Sequence, residues 1–128
     1  MAYKDLVAMV VDDFASMRRF IGGILKDLQF HEVIEAVDGA EALRLLDSNK
    51  VDLIVSDWNM PTMTGLELLK RVRADERLKR IPFMLVTAEF RKERIFEAFR
   101  AEVSDYIIKP FSPAVFAEKL AKLIPQGQ

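Results

Sequence analysis

The sequence predicts an α/β protein, a doubly wound parallel sheet of five strands in a three-layer αβα sandwich. Three observations predict it. The hydrophobic pattern switches repeatedly from short continuous apolar runs to helical spacing, with no Ser- or Gly-rich linker between units. The runs are continuous rather than alternating, as expected of strands covered on both faces by helices. The 128 residues, 51% of them hydrophobic, match a single core, so one domain over residues 1–128 with no output domain is expected.

The elements follow in order. A first strand is expected over residues 6–11. A helix over 15–28 then spaces Met17, Phe20, Ile21, Ile24, Leu25 and Leu28 along an inward face. The second strand is short, 33–36. Asp38 with Gly39 opens the second helix as an N-cap, and Ala42, Leu43, Leu45 and Leu46 form its buried face. The third strand, 51–56, leads to Asp57 and the turn WNMPTMTG, and a helix over 66–74 turns Leu66, Leu69 and Val72 inward. A fourth strand over 83–86, a helix over 91–101 and a fifth strand over 106–108 complete the sheet. Ser112 followed by Pro113 starts the last helix. Five βα units with right-handed crossovers fit the flavodoxin-like order 2-1-3-4-5, with strands one, three and four central and strand five at an edge.

In such a sheet ligands bind outside the carboxyl ends of the strands. Four runs end there on residues suited to phosphate chemistry: LVAMVVDD at Asp12 and Asp13, VDLIVSD at Asp57, PFMLVT at Thr87 and DYIIK at Lys109. Three carboxylates, a hydroxyl and an ammonium can hold a divalent cation, offer an aspartate nucleophile and bind the oxygens of a phosphoryl group. Each residue alone has an ordinary reading. Asp12 and Asp13 could cap the first helix, Asp57 could form a turn, Thr87 could be a strand residue and Lys109 a surface cation. Their common placement favours the site.

Composition excludes other classes. The 19 Lys and Arg balance 20 Asp and Glu, a net charge of -1, so nothing draws the chain wholesale to nucleic acid or anionic lipid. The basic run KRVRADERLKR at 70–80 reads as a helix C-terminus beside a solvated loop. Without cysteine there is neither disulfide nor thiolate metal site, and His31 has no second histidine to share a metal. Apolar runs fall far short of the ~20 residues that span a bilayer, and MAYKDLV lacks a signal-peptide core. A cytoplasmic, soluble, monomeric protein is expected, with no membrane or nucleic-acid partner.

VVDDF, SDWNMPTMTGLELL, VTAE and DYIIKPF, in this order, resemble the receiver domain of two-component response regulators, especially its single-domain chemotaxis members, over nearly the whole chain. The resemblance implies that Asp57 is the phosphoacceptor, served by a histidine kinase, with a phosphatase as a further partner. Asp12, Asp13, Asp57 and the backbone carbonyl of Asn59 would hold Mg2+. Lys109 and Thr87 would contact the phosphoryl oxygens, and the Lys109–Pro110 bond would be cis. The chain would be no enzyme beyond its own phosphorylation and dephosphorylation.

The resemblance also implies a switch and partner face of Tyr106, Ile95, Phe99, Ile108, Phe111 and Lys119, engaging the flagellar motor switch or another phosphorylation-dependent partner. A phosphate shuttle or sink in a phosphorelay is the alternative. A phosphatase of the haloacid dehalogenase type lacks its D-x-D signature here, and a flavodoxin lacks its phosphate loop. Three departures from the family pattern stand out: Glu102 where a glycine usually ends the fourth helix, Thr64 before Gly65, and bulky Phe90 and Phe99.

Overall fold

The computed structural model describes residues 3–88 and 91–125; Phe90 lies outside them. After a 3-10 turn, Tyr3–Asp5, the chain runs β1 (Val7–Val11), α1 (Ala15–Asp27), β2 (Glu32–Ala36), α2 (Gly39–Leu46), β3 (Leu53–Asp57), α3 (Gly65–Ala74), β4 (Phe83–Thr87), α4 (Lys92–Arg100), β5 (Asp105–Ile108) and α5 (Pro113–Leu123). All four strand pairs are parallel and the order is β2-β1-β3-β4-β5, as the sequence predicts. Central strands β3 and β4 are buried at every residue.

Alternation along each strand divides the core in two. Met9, Val11, Ile54, Phe83 and Leu85 point towards α2, α3 and α4, where Leu46, Leu66, Leu69, Val72 and Ala98 meet them. Ala8, Val10, Val55, Met84, Val86 and Ile107 point the other way, onto Ile21, Ile24 and Leu25 of α1 and Phe116 and Leu120 of α5. Two expectations need correction. Phe20 is 41% exposed, its ring lying 5.7 Å from that of Phe111 near the surface instead of entering the core. The third strand starts at Leu53, two residues later than expected. The Asp52 amide already donates to the Val7 carbonyl at 2.8 Å, while the Asp52 carboxylate accepts from the Val7 amide at 2.9 Å. That side chain takes a donor the ladder would otherwise use.

Caps set the helix ends. Asp38 accepts from the Glu41 amide at 2.8 Å, and Ser112 accepts from the Val115 amide at 3.2 Å with Pro113 in the first turn. Thr64 builds a capping box with Glu67: its hydroxyl accepts from the Glu67 amide at 3.1 Å and its own amide donates to the Glu67 carboxylate at 2.8 Å. The departure at Thr64 is therefore a complete cap. Glu102 takes φ 70°, in the left-handed region. The Val103 amide donates to Ala98 and the Glu102 amide to Phe99, a Schellman closure of α4 without glycine. Gln29, with φ 72°, ends α1 in the same way.

Candidate functional site

The carboxyl ends of β1, β3, β4 and the residue after β5 meet at one edge. Asp12 follows β1, where its amide donates to the Ala36 carbonyl at 3.1 Å, and its Oδ1 accepts from the Phe14 amide at 2.9 Å. That bond turns the chain into α1, so Asp12 does serve the loop, but α1 itself has Phe14 at its N-cap position with no side-chain cap. Arg18 donates to the Asp12 carbonyl at 2.7 Å while its Nε pairs with Glu35 at 2.9 Å, fixing the loop from one turn into α1. Nothing in the sequence singled out Arg18; a cation on the first turn of a helix has no local signature for a backbone acceptor six residues back.

Asp57 closes β3 with 3% of its surface exposed, and Asp12 is fully buried. Carboxylate oxygens of Asp12, Asp13 and Asp57 all lie within 4.8 Å of one another, with Asp13 at the exposed rim. Lys109 Nζ stands 3.1 Å from Asp57 Oδ1. This is an ion pair, and apart from it Asp57 Oδ1 has no hydrogen-bond partner; Asp12 Oδ2 is likewise buried without one. The Lys109 amide donates to the Thr87 carbonyl at 2.8 Å, which extends the β4–β5 pairing and brings Lys109 beside Thr87, itself 1% exposed. The Lys109–Pro110 bond is cis. Asn59 sits exposed two residues past Asp57.

Burial pushes the Asp57 carboxyl above its ordinary value, opposed by Lys109 and the Trp58 amide and reinforced by the charge of Asp13. Burial likewise raises Asp12, opposed by the Phe14 amide and reinforced by Asp57. Three carboxylates with two orphaned buried oxygens and one nearby ammonium leave excess negative charge. Such a donor set suits a hard divalent cation.

The loop after Asp57 holds one strained residue. The Met63 amide donates to the Pro61 carbonyl at 2.7 Å across Thr62, whose φ is 73°, a tight γ-turn around a β-branched residue. The Gly65 amide donates to the Trp58 carbonyl at 2.8 Å.

On β5 the Tyr106 ring meets Phe99 edge-on, with centroids 5.8 Å apart, and carries Lys119 Nζ at 5.2 Å. Lys119 also reaches Asp105 at 3.4 Å. Ile95, Phe99 and Tyr106 line an open cavity of about 580 Å³ with Phe96, which is 64% exposed and for which the sequence carries no distinguishing signal. Ile108, Phe111 and Lys119 line a second hollow that shares Tyr106. The six residues proposed for this face therefore split between two hollows joined at one ring.

An αβα sandwich with an acidic, lysine-bearing site at its strand ends is a doubly wound fold of the class that binds ligands at the carboxyl edge of its sheet. The chain belongs to the response regulator receiver domain family, whose model matches residues 8–121. It is 50% identical over 115 residues to the chemotaxis protein CheY of Pseudomonas aeruginosa, covering 90% of this chain and 93% of that one. Among solved structures it resembles CheY4 of Vibrio cholerae, with a TM-score of 0.88 and 33% identity over 94% of this chain and 99% of that one. It also resembles the receiver domain of a Pseudomonas aeruginosa sensor histidine kinase solved with magnesium in its active site cleft, with a TM-score of 0.82 and 25% identity over 92% of this chain and 96% of that one. CheY is a standing example of this strand order. The chain is thus a CheY-like receiver domain, a signalling protein rather than an enzyme of metabolism. Among the described residues no helix is long and apolar enough to cross a membrane.

Proposed function

We propose that Asp57 accepts a phosphoryl group from a histidine kinase and that the modified protein engages a partner through the face around Tyr106, the flagellar motor switch being the expected partner. The observation that carries this reading is the cluster of buried carboxylate oxygens of Asp12 and Asp57, with the Lys109 ammonium 3.1 Å from Asp57. An Asp57 carboxylate oxygen attacks phosphorus in line. The new O–P bond forms as the bond from phosphorus to the donor's imidazole nitrogen breaks, and the electron pair leaves with the imidazole.

Asp12, Asp13, Asp57 and the Asn59 carbonyl would hold Mg2+, which when bound neutralises charge on the phosphoryl oxygens; the magnesium in the related sensor-kinase receiver supports this. Lys109 supplies a second positive charge from within the protein, and the Thr87 hydroxyl hydrogen-bonds the phosphoryl group once it is present. That bond biases Tyr106 between arrangements over the Phe99 ring, a population shift at the partner face. The residues 1–128 act as one monomeric unit in the cytoplasm, with a phosphatase as a further partner, and the protein catalyses only its own phosphorylation and dephosphorylation.

Acetyl phosphate with Mg2+ tests the reading. One base-labile phosphoryl group is expected on Asp57 by mass spectrometry after borohydride trapping, absent in Asp57→Asn; a phosphoserine or phosphothreonine instead would end it. A partner retained only with beryllofluoride supports switching, whereas rapid return of phosphate to a histidine phosphotransfer protein with no such partner would make the chain a shuttle.

A further inference from the structure

We propose that Arg94 is a positioning residue that ties α4 to the Asp57 site through the indole of Trp58; the proposal rests on the reading of Asp57 given above. Trp58 follows Asp57 directly and is fixed at both backbone groups. Its amide donates to the Val86 carbonyl at 3.0 Å, and its carbonyl accepts from the Gly65 amide at 2.8 Å. Trp58 is 3% exposed, and the Arg94 guanidinium carbon lies 5.7 Å from its ring centroid. Tryptophan is the aromatic that attracts a cation most strongly, and a planar guanidinium stacks on it well.

The contact matters because α4 is lightly buried among the described residues. Of Lys92–Arg100 only Ala98 is buried. Among the described residues Ile95 is half-buried, the Phe99 edge meets Tyr106 of β5, and Arg94 meets Trp58 just past the end of β3. A helix with so few buried anchors lies at the low end of local stability, so each anchor decides much of its position. Arg94 and Phe99 stand on different sides of the helix, five residues apart. One side meets the residue next to Asp57, the other lines the cavity with Ile95, Phe96 and Tyr106. The nine-residue helix Lys92–Arg100 links the first side to the second, so a shift at Arg94 bears on the cavity.

The electrostatics give the direction. A phosphoryl group on Asp57 adds negative charge one residue from the indole and draws the guanidinium towards the end of β3. The first turn of α4 follows and its amides become better protected. By linkage, a partner that holds α4 in that position strengthens the Asp57 site in turn.

Hydrogen exchange over α4, with and without beryllofluoride and Mg2+, tests this in wild type, Arg94→Gln and Arg94→Lys. Arg94 is exposed, so folding is not at risk. Wild type is expected to slow on binding the phosphoryl mimic, Arg94→Gln to keep under roughly one third of that slowing, and Arg94→Lys, which retains the cation, to keep at least about half. Trp58 is the sole tryptophan, so its emission in the unliganded protein should also change in Arg94→Gln. Equal slowing in wild type and Arg94→Gln, or unaltered emission in the free variant, would overturn the role of Arg94 alone. No response of wild type to beryllofluoride would overturn the reading of Asp57 and the coupling together.

Discussion

Gly65 packs its backbone against Asp57: a β-carbon on Gly65 would stand 2.2 Å from the Asp57 carbonyl oxygen and 2.9 Å from the Leu85 side chain. The start of α3 is therefore pressed onto the very residue that the site depends on. Gly65→Ala must push these backbones apart, and overpacking of this kind costs roughly 1–3 kcal/mol. Urea unfolding should show that loss. The same variant should bind Mg2+ more weakly in a Trp58 fluorescence titration, because Asp57 moves relative to Asp12; full stability with intact metal binding would contradict the contact.

The acidic site should make the metal-free protein less stable as the medium becomes less acidic. The folded-state values of Asp12 and Asp57 are raised above the ordinary 3.8, mainly by burial. A raised carboxyl favours the folded state while protonated. Its contribution is complete below the unfolded value and is lost as pH rises through the folded one. Asp57→Asn, which cannot ionise, should accordingly be more stable than wild type at neutral pH by roughly 1 kcal/mol without metal, with the difference vanishing below about pH 3.8. Saturating Mg2+ should narrow the gap by stabilising wild type alone. Thermal melts across pH, with and without Mg2+, read all of this; a wild type more stable than Asp57→Asn in chelator at pH 7 would be the contrary result.

Glu102 and Gln29 occupy left-handed positions at the ends of α4 and α1. A non-glycine residue there costs roughly 1 kcal/mol, and Glu102→Gly relieves it while leaving the two Schellman hydrogen bonds in place. An increase of about 1 kcal/mol in unfolding free energy is expected, and destabilisation would mean that the Glu102 side chain does something the backbone does not reveal.

Much of this was legible in the sequence because it lies in periodic or terminal residues. The strand runs and the residues ending them, Asp12, Asp57, Thr87 and Lys109, declare both the sheet and the site, since topology gathers strand ends whatever the side chains do. What stayed hidden depends on contacts between segments far apart in the chain. Arg73 looked like one cation in a solvated basic run. Its guanidinium instead donates to the carbonyls of Ile81 at 2.7 Å, Glu102 at 2.8 Å and Lys79 at 3.1 Å, tying the end of α3 to the loops before β4 and β5. Thr62 likewise carries no sign of its strained turn, and Phe20 obeys helical spacing yet lies at the edge of the buried face.

Arg73→Met tests that hidden tie. The substitution keeps the aliphatic stem and leaves three carbonyls without their donor, in a place where burial already lowers the guanidinium's proton affinity. A loss of roughly 2–4 kcal/mol in unfolding free energy is expected, with beryllofluoride binding retained because Asp57 lies at the other end of the sheet. A loss of only a few tenths would show that the carbonyls are satisfied by water.

The last prediction separates phosphorylation from signalling. Thr87 is buried beside Lys109 at the strand ends, whereas Phe99 and Tyr106 meet at the surface. Thr87→Ala keeps every carboxylate and Lys109, so Asp57 should still be modified, but the hydroxyl proposed to report the phosphoryl group to Tyr106 is gone. The face itself is apolar at Ile95, Phe96 and Phe99, with Lys92 and Glu93 in the same cavity and Lys119 over the Tyr106 ring, and two cations to one acid suit an amphipathic acidic segment whose apolar anchors supply affinity and whose charges supply rate and register. Such a peptide, titrated with and without beryllofluoride, should gain affinity on activation of wild type by roughly 5- to 100-fold, and most of that gain should be missing in Thr87→Ala. Phe99→Asp should weaken binding in both states by placing a like charge in the cavity. Equal gains in wild type and Thr87→Ala would disconnect the hydroxyl from the face, and undiminished binding by Phe99→Asp would move the interface elsewhere.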